Sequence, residues 1–162
     1  MTGTCFLRAV TLVAVCSVPR LGAQTATQRV TFEVNALNRM AVSGSPAPMV
    51  ISTATPGVAP DPVIASGGTY TLTTNERNQK IVAALDELLS AGVTLEVALD
   101  APVGALSAGL VPLGIDDVDV VSGIRATVTS PLPITYRLSA TELAYVPGAQ
   151  SRSVTFTIIS AP

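Results

Sequence analysis

Apolar and polar side chains alternate with a period of two in short runs along most of this sequence, divided by turn residues with many glycines and prolines among them. That alternation leaves little choice of fold, because it puts one face of an extended strand in a core and the other in water. The first run is Arg29-Val30-Thr31-Phe32-Glu33-Val34, with Val30, Phe32 and Val34 on one face. Shorter runs follow at 39–43 and 49–53. Thr69 to Thr74 and Val93 to Leu99 alternate again, the latter with Val93, Leu95, Val97 and Leu99 together. Further short strands are expected at 110–113, 118–121, 124–128 and 134–138. The last run, Ser153 to Ile158, echoes the first: Val-Thr-Phe-Thr-Ile against Val-Thr-Phe-Glu-Val.

Between these runs lie segments with turn chemistry. Residues 54–68 hold Pro56, Gly57, Pro60, Pro62, Gly67 and Gly68 and read as a long surface loop. Asn75 to Gln79 is polar and turn-like. Residues 101–109 and 141–150 read as loops, and Ser130-Pro131-Leu132-Pro133 separates two strands. Lys80 to Ala91 carries two patterns. Ile81, Leu85, Leu88 and Leu89 fit helical spacing, while context favours a strand over 80–85 with a short helical turn after it. The expected architecture is all-β: an antiparallel Ig-like, Greek-key β-sandwich of about eight to ten strands.

The start of the chain has a different character. Arg8 precedes an apolar run from Ala9 to Val18, and Leu21-Gly22-Ala23 offers small residues before a cut. This is the layout of a secretory signal over residues 1–23, and the run is too short to span a bilayer. The domain is then 24–162, in a periplasmic, cell-surface or extracellular setting. Cys5 and Cys16 both fall in the signal, so the mature chain has no disulfide to form. Val15 stands before Cys16 where a lipoprotein signal has a small residue, which argues against lipidation there. No other apolar run is long enough for a membrane helix.

Chemistry is scarce. The chain has no His and no Trp, which removes the nucleophile systems and the zinc and copper ligand sets that need imidazole. No phosphate-binding loop is present. Residues 24–162 hold seven Lys and Arg against eleven Asp and Glu, a net charge of −4 with no basic stripe, so nucleic acid is not an expected partner. Asp116, Asp117 and Asp119 form the densest acidic group and are the one calcium candidate. They lack the glycine and distal glutamate of an EF-hand, and an acidic turn is the simpler reading. Asp86-Glu87 is a second acid pair with the same simple reading, and Lys80 reads as a solvated side chain. Phe32, Phe156, Tyr70 and Tyr136 sit in alternating runs and read as core or half-core. Tyr145, in a loop, is the aromatic that reads as a contact residue. The chain is expected not to be an enzyme and to need no cofactor.

The exported start, the runs 29–34 and 152–158, and the phrases Thr73-Thr74-Asn75 and Gly92-Val93-Thr94-Leu95 give the chain a resemblance to bacterial secreted β-sandwich subunits of fimbrial and spore-coat type. That resemblance implies an N-terminal strand that fills a groove in the next subunit, with Val30, Phe32 and Val34 as the partner-binding residues. Many such subunits carry a disulfide, and this mature chain does not. The expected role is a structural or assembly protein acting through protein–protein contacts, including self-association through the terminal strands. The alternative is an extracellular ligand- or carbohydrate-binding module working through loops 54–68, 101–109 and 141–150.

Overall fold

A computed structural model describes residues 25–142, 144 and 148–162. The signal expected over residues 1–23 and Tyr145 therefore lie outside the described residues. The chain divides into two units, 1–33 and 34–162. In the first, residues 25–33 are exposed and form no strand.

The second unit is all-β among the described residues, with ten strands in two antiparallel sheets. They are β1 (Asn38–Ser43), β2 (Val63–Thr74), β3 (Gln79–Leu85), β4 (Val93–Leu99), β5 (Leu106–Ser107), β6 (Val111–Pro112), β7 (Val118–Ile124), β8 (Thr127–Val128), β9 (Leu132–Ala140) and β10 (Val154–Ser160). One sheet runs β1-β2-β9-β4-β6, with β8 beside β2. The other runs β10-β3-β7-β5.

The core lies between the sheets. Tyr70 and Leu72 of β2, Leu95, Val97 and Leu99 of β4, and Ile134 and Tyr136 of β9 face it from one side. Ile81, Ala83 and Leu85 of β3, with Val120, Val121 and Ile124 of β7, meet them from the other. Burying one such Leu or Ile stabilises the fold by roughly 1.5–3 kcal/mol. On β4 the core face is Leu95, Val97 and Leu99 of the alternating set read from the sequence, with Val93 half-buried at the start of the strand.

β7 breaks the alternation, since Val120 and Val121 are both buried. The register explains it. Ile81 pairs with Val121 and Val82 with Asp119, so Val120 is an extra residue, and a second shift lies between Gln79 and Ile81. Such bulges let consecutive side chains share a face. Gly123, at φ 69°, sits within the second.

Several expectations are corrected. Residues 29–34 and 49–53 form no strand. The loop predicted over 54–68 ends early, since β2 begins at Val63 and runs through Gly67 and Gly68. A bulge between Ser66 and Thr69 absorbs the two glycines. β7 extends through Gly123 to Ile124, and β9 starts at Leu132, so Pro133 lies inside a strand. After β3 the chain makes bends at Asp86 and Glu87 and a turn at Ala91-Gly92 rather than a helical turn. Lys80 lies in β3, within the strand expected over 80–85, but its side chain, expected to be solvated, is paired with Asp119 across the β3–β7 ladder at 2.8 Å.

Candidate functional site

Three features bear on function: the N-terminal segment with its entry into β1, the free edges of the sheets, and a cleft at one end of the β10-β3-β7-β5 sheet.

The entry into β1 is tightly bonded. The Leu37 amide donates to Asn75 Oδ1 at 2.7 Å, and the Asn75 amide donates back to the Leu37 carbonyl at 3.2 Å. Asn75 Nδ2 donates to the Asn35 carbonyl at 2.8 Å. Asn38 donates to the Glu76 carboxylate and accepts from the Thr74 hydroxyl at 2.6 Å. The turn after β2 thus holds residues 35–38 in place. Upstream, Val30, Phe32 and Val34 are 70%, 85% and 74% exposed. The expectation that Phe32 packs in a core is corrected: three large apolar side chains at alternating positions stand in water. Isolated exposed apolar residues are ordinary, but an alternating set is not.

β10 is the strand that the N-terminal run imitates. Val154, Phe156 and Ile158 pack half-buried against the core, and Thr155 and Thr157 face outward. Its full length pairs with β3, from Val154 opposite Leu85 to Ser160 opposite Gln79. Both ends are clamped. The Ser153 amide donates to Asp86 Oδ1 at 3.0 Å, and that bond holds the Asp86 carboxyl below its ordinary value. At the far end Gln79 Nε2 donates to Ser160 Oγ at 3.1 Å, and the Ala161 amide donates to the Asn78 carbonyl at 2.8 Å. Asn78 adopts φ 59°, a conformation asparagine tolerates better than most residues.

The cleft has a volume of about 770 Å³ and is lined by Arg77, Asn78, Leu106 and Arg125 with Gly104, Gly123 and Ala126. It gathers the turn before β3, the loop before β5 and the bend after β7. Neither arginine makes an ion pair among the described residues, and no carboxylate lines the cleft. Arg77, Arg125 and the bend after β7 were not singled out in the sequence. The charges are far apart along the chain, and only the sheet register brings Gln79 opposite Ile124.

The acidic group does not converge. Asp119 is engaged with Lys80 on β3, while Asp116 and Asp117 are exposed in the bend before β7. Among the described residues no three His, Cys, Asp or Glu side chains are grouped to hold a metal ion. No helix there is long and apolar enough to cross a membrane.

Comparison with protein-family models, with curated proteins and with solved structures returned no match.

Proposed function

We propose that this protein is an exported structural subunit, acting at the cell surface or outside the cell through protein–protein contacts, and that residues 29–34 are its docking strand. One observation carries this reading. A segment with strand alternation exposes Val30, Phe32 and Val34 while bonding to no sheet. An extended segment with this pattern gains both backbone hydrogen bonds and apolar burial when it adds to a sheet edge. The resemblance to secreted β-sandwich subunits points the same way.

The test is light scattering after size-exclusion chromatography over a range of concentrations, on the parent protein and on Val30→Asp/Phe32→Asp. The expected result is concentration-dependent association that the double substitution abolishes. A parent protein that stays monomeric, or association indifferent to the substitution, would overturn the reading.

A second reading has its own support. The cleft holding Arg77 and Arg125 suits an extracellular ligand with an anionic group, such as a carboxylated sugar, since unpaired guanidinium groups bind carboxylates in bidentate fashion. Binding of uronic-acid oligosaccharides that is lost in Arg77→Ala and Arg125→Ala would favour this reading, and a blank titration would sink it.

A further inference from the structure

We infer that the cleft holding Arg77 and Arg125 takes an amphiphilic anion, a carboxylate or phosphate head with a flexible apolar chain, and that the chain lies in a second groove beside the cleft. This deepens the anion-binding reading above and rests on it. The second groove has a volume of about 170 Å³, and its walls include Pro102, Val103, Val128 and Leu132. The backbone joins the two depressions. Val103 lines the groove and Gly104 the cleft, while Ala126 lines the cleft and Thr127 the groove. Both walls are thus shared: the loop 101–106 that leads into β5, and the stretch 123–130 at the end of β7 and through β8.

Charge selects the head. Neither Arg77 nor Arg125 makes an ion pair among the described residues, and no carboxylate lines the cleft or the groove. The spot is positive on a chain whose residues 24–162 carry a net charge of −4. Recognition of an anion there is therefore local and owes nothing to the overall field. Apolar surface selects the chain. Val103 is fully exposed, and Leu106 and Val128 are 72% and 77% exposed. Leu106 lines the cleft, and Val103 and Val128 line the groove, so the three form a patch rather than scattered exposures.

A wholly polar anion, such as a uronic-acid oligosaccharide, would satisfy the arginines and leave the apolar patch in water. A neutral apolar ligand would cover the patch and leave the guanidinium groups unmatched. A ligand with both parts gains from each. Its head accepts bidentate hydrogen bonds from arginine, and every methylene of its chain that leaves water adds to the affinity. The groove suits such a chain. The Thr129 hydroxyl in its wall is already engaged, accepting from the Leu72 amide at 2.9 Å, and Leu132 connects the groove to the core.

Amide NMR titration of the full chain tests the inference. The probes are butanoate, hexanoate, octanoate, octyl phosphate, neutral octanol and trigalacturonate, each kept below any concentration at which it forms micelles. The variants are Arg77→Ala/Arg125→Ala and Val103→Ser/Val128→Ser. All four positions are exposed, and each variant's fold is checked by circular dichroism. The expected result is shifts confined to Arg77, 101–106 and 123–132 with octanoate and octyl phosphate. Affinity should rise about twofold or more per added methylene from butanoate to octanoate. It should fall about tenfold or more in the arginine variant, fall also in the valine variant, and be far weaker for octanol. Trigalacturonate binding that needs the arginines, without chain-length-dependent binding of the carboxylates, overturns the amphiphile while the anion-binding reading stands. Octanoate binding indifferent to the arginines, octanol binding as tightly as octanoate, or no shift with any probe overturns both.

Discussion

The ring of Tyr136 lies directly over Gly67. A β-carbon built on Gly67 would stand 2.3 Å from Cε2 of Tyr136 and 3.1 Å from a methyl of Ile134. The tyrosine thus covers backbone that a side chain would otherwise shield. Gly67→Ala must displace a buried ring, and overpacking of this kind costs about 1–3 kcal/mol. The expected outcome is a lower urea midpoint with an unchanged slope.

Gly68 is constrained by backbone rather than by a ring. Its φ is 91°, and an added β-carbon would lie 2.2 Å from the Ser43 carbonyl oxygen at the end of β1. Gly68→Ala should therefore loosen β1 locally, beyond the ~1–3 kcal/mol of backbone strain. Hydrogen exchange should speed up from Ala41 to Ser43, which pair with Thr71 to Thr69, more than in the opposite sheet.

Tyr70 ties β2 to the end of β4, its hydroxyl donating to the Asp100 carbonyl. Burial, helped by the Asp100 carboxylate, pushes its pKa up from 10.0 to about 12. Folding favours the protonated phenol. The contribution is therefore whole below the unfolded value of 10.0 and is lost as pH rises through about 12. Tyr70→Phe should lower stability at neutral pH by about 1 kcal/mol and flatten the decline above the unfolded value. Tyrosinate absorbance against pH checks the titration directly.

Arg137 and Glu96 face each other on β9 and β4, and Arg137 grips both carboxylate oxygens, one at 2.6 Å. That grip holds the Glu96 carboxyl below its usual range. The ionised form is favoured in the fold. Its contribution is present above the unfolded value of about 4.3 and is lost as pH falls through the lower folded value. Asp86, lowered by the Ser153 amide, adds to the same acid limb. Glu96→Gln and Asp86→Asn should each make the stability curve shallower below about pH 5, as read by thermal melts across pH.

Much of the fold was legible because local pattern and packing agree. Val93 to Leu99 alternates, becomes β4 and buries the predicted face. The site was legible only in part. Val30, Phe32 and Val34 stood out by spacing, but the sequence offered a core for them where the structure shows exposure. The Arg77–Arg125 cleft left no local mark, because its two charges meet only through the pairing of β3 with β7.

Residues 30–34 and 154–158 mark the division most clearly. Side-chain alternation and β-branching told that both are strand-competent, since these depend on a residue and its near neighbours. Whether each becomes a strand depends on a partner, since backbone donors and acceptors in an extended segment are satisfied only by another segment. β10 has β3, held by clamps at Ser153 and Ser160, while 30–34 has no neighbour in a sheet. The same reason governs Gly67 and Gly68, whose turn-like chemistry yields to Tyr136 and to pairing with β9. Period and composition settled an all-β fold of short strands, and long-range pairing alone chose which strands, which edges and which face stayed open.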